Sequence, residues 1–191
     1  MTLRYDTRSR VSTYTQSWVS GVDPDFGAFE SIATYSTLNG LNTVTFSSIP
    51  QTYKHLQIRT SSVATTDGYI SSRFNADSGS NYAWHVLSGD GGSATSAAFA
   101  TQSSIRVTGY GAQMDSTNPY VSVTDILDYT NSNKHTTIRT LQGKDSNGAG
   151  SAMFFSGVWF NSAAVTNIEL FLNSTKTYAT GSHIALYGIK G

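Results

Sequence analysis

The chain has 191 residues, no cysteine, 12 basic and 12 acidic side chains, and only 13% charged residues. The missing cysteines exclude disulfides and thiolate metal sites. The formal net charge of zero leaves no basic surplus to displace counterions from phosphates, so no nucleic-acid partner is expected. No segment approaches the roughly 20 apolar residues of a membrane span, so no membrane partner is expected either. The opening MTLRYDTRSRVSTYTQSWVSG holds no apolar stretch of signal-peptide type, and either a route out of the cell other than the secretory pathway or retention inside until lysis is expected.

Residues 1–28 differ in character from the remainder of the chain. They carry Arg4, Arg8 and Arg10 with the scattered aromatics Tyr5, Tyr14, Trp18 and Phe26, and they lack sustained periodicity. Asp23-Pro24-Asp25 and Gly27 then punctuate the chain, as at a turn-rich junction. This composition reads as an extended arm that alone buries too little apolar surface to offset its ordering entropy. Arginine and aromatic side chains are frequent interface anchors, so Arg4, Tyr5, Arg8, Arg10, Tyr14 and Trp18 are the candidate partner-binding residues.

From Phe29 to Gly191 short runs rich in Thr, Val, Ile, Tyr and Phe alternate with Gly, Asn, Asp and Ser clusters. Strands are predicted at Glu30–Ser36, Asn42–Ser48, Lys54–Ser62, Tyr69–Asn75, Asn81–Leu87 and Ser104–Thr108. Five more are predicted at Tyr120–Tyr129, Lys134–Gly143, Ser151–Phe160, Asn167–Leu172 and Ser182–Ile189. Leu56 and Ile58 alternate with Gln57 and Arg59, Ile168, Leu170 and Leu172 with Glu169 and Phe171, and Val121 and Val123 oppose Ser122 and Thr124. Ser93–Ala100 is the one candidate for a helical turn, with a loop as the alternative. The expectation is an all-β chain: a jelly-roll-like β-sandwich over residues 29–191, preceded by the extended N-terminal arm of residues 1–28.

No site of chemistry emerges from the residue pattern. His55, His85, His135 and His183 fall one to a predicted strand, with no metal-ligand spacing. Asp125 and Asp128 are close enough in sequence to pair as carboxylates, but flanking Ile126 and Leu127 favours a slip of the alternation at a bulge. There is no G-x-S-x-G elbow. Asp145-Ser146-Asn147-Gly148 lacks the downstream carboxylate of a calcium loop, and Gly89-Asp90-Gly91-Gly92 lacks the Lys-Ser/Thr of a phosphate cradle. The first of these, like Asp77-Ser78-Gly79-Ser80, reads as a connection between strands. Tyr82, Trp84, Tyr110, Tyr120, Trp159 and Phe160 suit either a core or a sugar-stacking surface, and burial of Trp84 and Trp159 is the expectation. No catalytic residue, metal or cofactor is expected.

One ordered series of phrases carries a likeness: FESIATYS, VTFSSIPQTYKHLQIR, RFNADSGSNYAWH, VTDILDYTNSNKHTTIRTLQG and the terminal ALYGIKG. In these the chain from about Phe29 to Gly191 resembles a group of small virion proteins of tailed bacteriophages, including phages of cyanobacteria and other aquatic bacteria. The resemblance implies a non-enzymatic virion component. Two roles then compete. In the first the chain is a capsid decoration or cement protein on the outer shell. It clusters with itself, as a homotrimer, and its arm lies along the major capsid protein, where a tethered second contact raises avidity. In the second it is a tail-fibre or baseplate receptor binder that docks to tail proteins and recognises host glycans. The absence of any fibrous repeat favours the first.

Overall fold

Alternation at period two requires each strand to bury one face, and the chain meets that requirement by folding two sheets against each other. The computed structural model describes residues 28–110 and 114–191. These form β1 Phe29–Tyr35, β2 Thr43–Phe46, β3 His55–Ser62, β4 Ile70–Phe74, β5 Tyr82–Gly89 and β6 Ala94–Gln102. The second half adds β7 Ile105–Arg106, β8 Tyr120–Leu127, β9 Thr136–Ser146, β10 Ala149–Trp159, β11 Ile168–Leu172 and β12 His183–Ile189. Among the described residues there is no helix, and so none long and apolar enough to cross a membrane.

One sheet has eight strands in the order β1-β12-β3-β8-β9-β10-β5-β6, and the other has four in the order β2-β11-β4-β7. All neighbours are antiparallel. Leu56, Ile58, Ile126, Ile138 and Phe155 of the large sheet join Phe46, Ile70, Phe74, Ile168 and Leu170 of the small one in a continuous buried core. The all-β sandwich expected from the sequence is what the chain forms, and its jelly-roll wiring stays an expectation. Trp84 and Trp159 are interior, as expected, with 5% and 1% of their surfaces exposed.

Each of the eleven predicted strands is present, with its ends moved by a few residues. The twelfth, β6, corrects the reading of Ser93–Ala100 as a helical turn or loop. It pairs with β5 from Gly89↔Ala94 to Tyr82↔Gln102. Alanine and serine have little preference for strands, but the ladder satisfies the backbone groups, and Phe99 stacks on Trp84 with ring centroids 4.0 Å apart. A second correction concerns Asp125 and Asp128. The strand β8 holds its register without a slip against both β3 and β9. Instead of a bulge, the chain turns just beyond the strand, at Asp128, where φ is 49°.

Two connections show local chemistry setting the geometry. The β9–β10 hairpin closes through Asn147 and Gly148, whose φ values of 56° and 91° are the type I′ signature that matches the twist of the flanking strands. The strand β12 lies second from the edge, between β1 and β3. There the ring of Tyr53 sits directly on Gly188, so that a Cβ at this position would overlap the ring. Gly188→Ala is therefore expected to destabilise the fold by about 1–3 kcal/mol through overpacking, measured as a lower urea midpoint at unchanged slope.

Candidate interaction face

The outer surface of the eight-stranded sheet carries apolar side chains where solvent-facing positions are usually polar. In β8, Ser122 and Thr124 are 2% and 3% exposed while Val121 and Val123 are 53% and 36% exposed. In β9, Gln142 is 2% exposed and Leu141 is 66% exposed. The inversion is sustained because the buried hydroxyls find partners on the inner face. The hydroxyls of Thr60 and Ser122 lie 2.7 Å apart and those of Thr124 and Thr140 2.8 Å apart. Gly109 donates its N–H to Gln142 Oε1 at 2.7 Å. A one-residue slip would turn the valines inward, but it would also expel Tyr120 and Ile126, both fully buried.

The register turns these outward positions into rows running across the strands. Leu87, Phe154, Leu141 and Val123 are successive cross-strand partners on β5, β10, β9 and β8. All four are exposed and form a ridge. Two residues further along the same strands, Gly89, Ala152, Gly143 and Val121 are likewise in register. A Cβ at Gly143 would meet nothing within 4 Å, so this second row is a trough. It opens into a hollow of about 680 Å³ that Pro119, Asp145 and Gly150 also line.

Polar groups flank the apolar rows. On the side away from the trough, Arg139 Nε lies 3.3 Å from Asp125 Oδ2, and Gln57 donates to Asp125 Oδ1 at 2.9 Å. Beyond the trough the β5–β6 turn is closed by Asp90, which accepts the amides of Ser93 and Gly92 at 2.7 and 2.9 Å. Those amide donors hold its carboxyl below the usual carboxylate range. The Gly89–Gly92 segment is thus a self-satisfied turn.

The residues singled out from the sequence are scattered through the fold. Arg4, Tyr5, Arg8, Arg10, Tyr14 and Trp18 lie outside the described residues. His55 Nδ1 accepts the Asp128 N–H at 2.9 Å, His135 packs edge-on against Phe160, and His85 and His183 are exposed. Among the described residues no three His, Asp or Glu side chains are placed to hold a metal ion. Asp128 is held between Lys134 at 2.5 Å and Lys54 at 3.2 Å, and these ammonium groups keep its carboxyl below the usual range. Of the aromatics weighed as a sugar platform, Tyr82, Trp84, Tyr120 and Trp159 are buried and Tyr110 packs edge-on to Trp84 and Phe99. Phe160, at 50%, is the exposed one.

The ridge and trough were not legible as a site. Their one sequence signal is the placing of Val121 and Val123 opposite Ser122 and Thr124, and that pattern does not say which pair faces the core. No family model, curated protein sequence or solved structure matches this chain.

Proposed function

We propose that this protein is a structural component of a tailed-phage virion, a capsid decoration or cement protein on the outer shell. The observation that carries the assembly role is the apolar ridge on the outer face of the large sheet, backed by buried hydroxyls. Exposed contiguous apolar surface on a folded domain marks a contact with another protein. The virion address comes from the sequence resemblance between Phe29 and Gly191. In this reading the arm of residues 1–28 supplies a second contact, with Arg4, Arg8 and Arg10 pairing with carboxylates of the major capsid protein and Tyr5, Tyr14 and Trp18 filling pockets on it. Two tethered contacts bind with an avidity above either alone.

The test is the number of copies on purified particles, measured by quantitative mass spectrometry. Hundreds of copies are expected, and a chain lacking residues 1–22 should fail to rebind stripped particles. A few dozen copies or fewer would move the protein to the tail and overturn the decoration role.

A further inference from the structure

We infer that the outer face of the eight-stranded sheet is a two-fold self-association surface, in which the ridge of one copy seats in the trough of another. The inference rests on reading this face as a protein contact, and it names the partner as a second copy of the same chain, in a pair instead of the homotrimer that the sequence reading expects.

The face is self-complementary about a definable line. Ser88, Met153, Gln142 and Ser122 are cross-strand partners on β5, β10, β9 and β8, and they run between the two rows. A two-fold axis laid above that line, parallel to the rows, returns each strand onto its own counterpart with the chain direction reversed. Leu141 then faces the partner's Gly143, Phe154 faces its Ala152, and Leu87 faces its Gly89. Val123 faces Val121. Every large exposed side chain of the ridge meets a small or equal residue of the trough, which is the condition for an isologous contact. The rows are about 6.6 Å apart, two residues along a strand, and two packed sheets stand about 10 Å apart with strands within about 30°.

Charge follows the same operation. On β9 the order Arg139, Leu141, Gly143, Asp145 reads as basic, large, small, acidic along the outward positions. Rotation about the line through Gln142 brings the Arg139 of each copy to the Asp145 of the other, forming two symmetric ion pairs at the rim. Arg139 already places Nε on Asp125, and its guanidinium carries further donors for a second carboxylate. The two rows cross four strands about 4.8 Å apart, and eight residues of each at about 3.3 Å span about 500 Å², which places the contact in the small, reversible class below the roughly 800 Å² per partner of a standard-size interface.

The test is sedimentation equilibrium of the full chain. The expected mass is twice the 20.5 kDa of one protomer. Leu141→Lys should return the single-chain mass with an unchanged circular dichroism spectrum, since Leu141 is exposed and its replacement leaves the core intact. Arg139→Asp should weaken the dimer by at least about tenfold through like-charge contact with the partner's Asp145. Adding Asp145→Arg to that variant should restore it. A single-chain or three-fold mass for the unmodified protein, an unaffected Leu141→Lys dimer, or no recovery in the doubly charge-reversed variant would each overturn the inference. Failure of the decoration role is separable from these results. A dimer that forms in solution and is absent from particles removes that role alone, and a particle-bound protein that stays monomeric in solution removes the two-fold contact alone.

Discussion

Trp159→Ala is expected to cost about 3–5 kcal/mol. The side chain ends β10, is 1% exposed, and lies where the two sheets meet. Its ring packs on Phe74 of the small sheet at 5.7 Å and stacks on Tyr82 at 6.3 Å. Its indole N–H donates to Asp77 Oδ2 at 2.7 Å. That carboxylate also accepts from Gly79 and Asn81, and these bonds, the indole's first, hold its pKa below the usual range. Truncation leaves a cavity and also removes the donor that orders the β4–β5 connection. Domains of this size have total stabilities of about 5–15 kcal/mol, and a fall of the melting temperature by about 6–20 °C is expected. Trp159→Phe separates the two contributions. It keeps most of the ring contact and loses the bond to Asp77, for an expected loss of about 1–2 kcal/mol. Equal melting of all three proteins by circular dichroism would show that the sheets are not fastened here.

Asp115→Ala is expected to cost about 2–3 kcal/mol, somewhat below the 3–5 kcal/mol of a fully buried ion pair because the carboxylate is one-third exposed. Lys144 brings its ammonium from β9, with 10% of the side chain exposed, to 2.6 Å from Asp115 Oδ2. The other carboxylate oxygen accepts the amides of Thr117 and Asn118 at 2.7 and 2.6 Å. These bonds, that from Lys144 first, hold the Asp115 pKa far below that of an unfolded aspartate. A carboxyl depressed in this way contributes its full stabilisation above the unfolded value of about 3.9 and loses it as pH falls toward the folded value. The gap in melting temperature between the native chain and Asp115→Ala should therefore be widest near neutrality. It should begin to close below about pH 5 and shrink steadily toward pH 2. A gap independent of pH over that range would mean that the loss comes from the shape of the turn and not from the charge.

Much of the fold was legible because burial and alternation agree over most strands. Leu56 and Ile58 against Gln57 and Arg59, and Ile168, Leu170 and Leu172 against Glu169 and Phe171, point inward as their hydrophobicity requires. Asn147-Gly148 carries its turn type in its residues, since few others accept positive φ at both positions. The β6 strand was not legible. Its alanines and serines have no preference strong enough to declare a ladder, and only the neighbouring β5 supplies one.

By itself the sequence determined that the chain would be all-β, that its strands would alternate at period two, and where its turns would fall, because these depend on residues close along the chain. Which side of β8 and β9 faces the core was decided by tertiary structure alone. Period two defines two faces without saying which is inner, and hydrophobicity would have put Val121, Val123 and Leu141 inside. The register that buries Tyr120, Ile126 and Ile138 carries Ser122, Thr124 and Gln142 in with them, where hydroxyl pairs hold Ser122 and Thr124 and the Gly109 amide donates to Gln142 Oε1. The apolar side chains thereby carried outward form the ridge on the outer face of the large sheet.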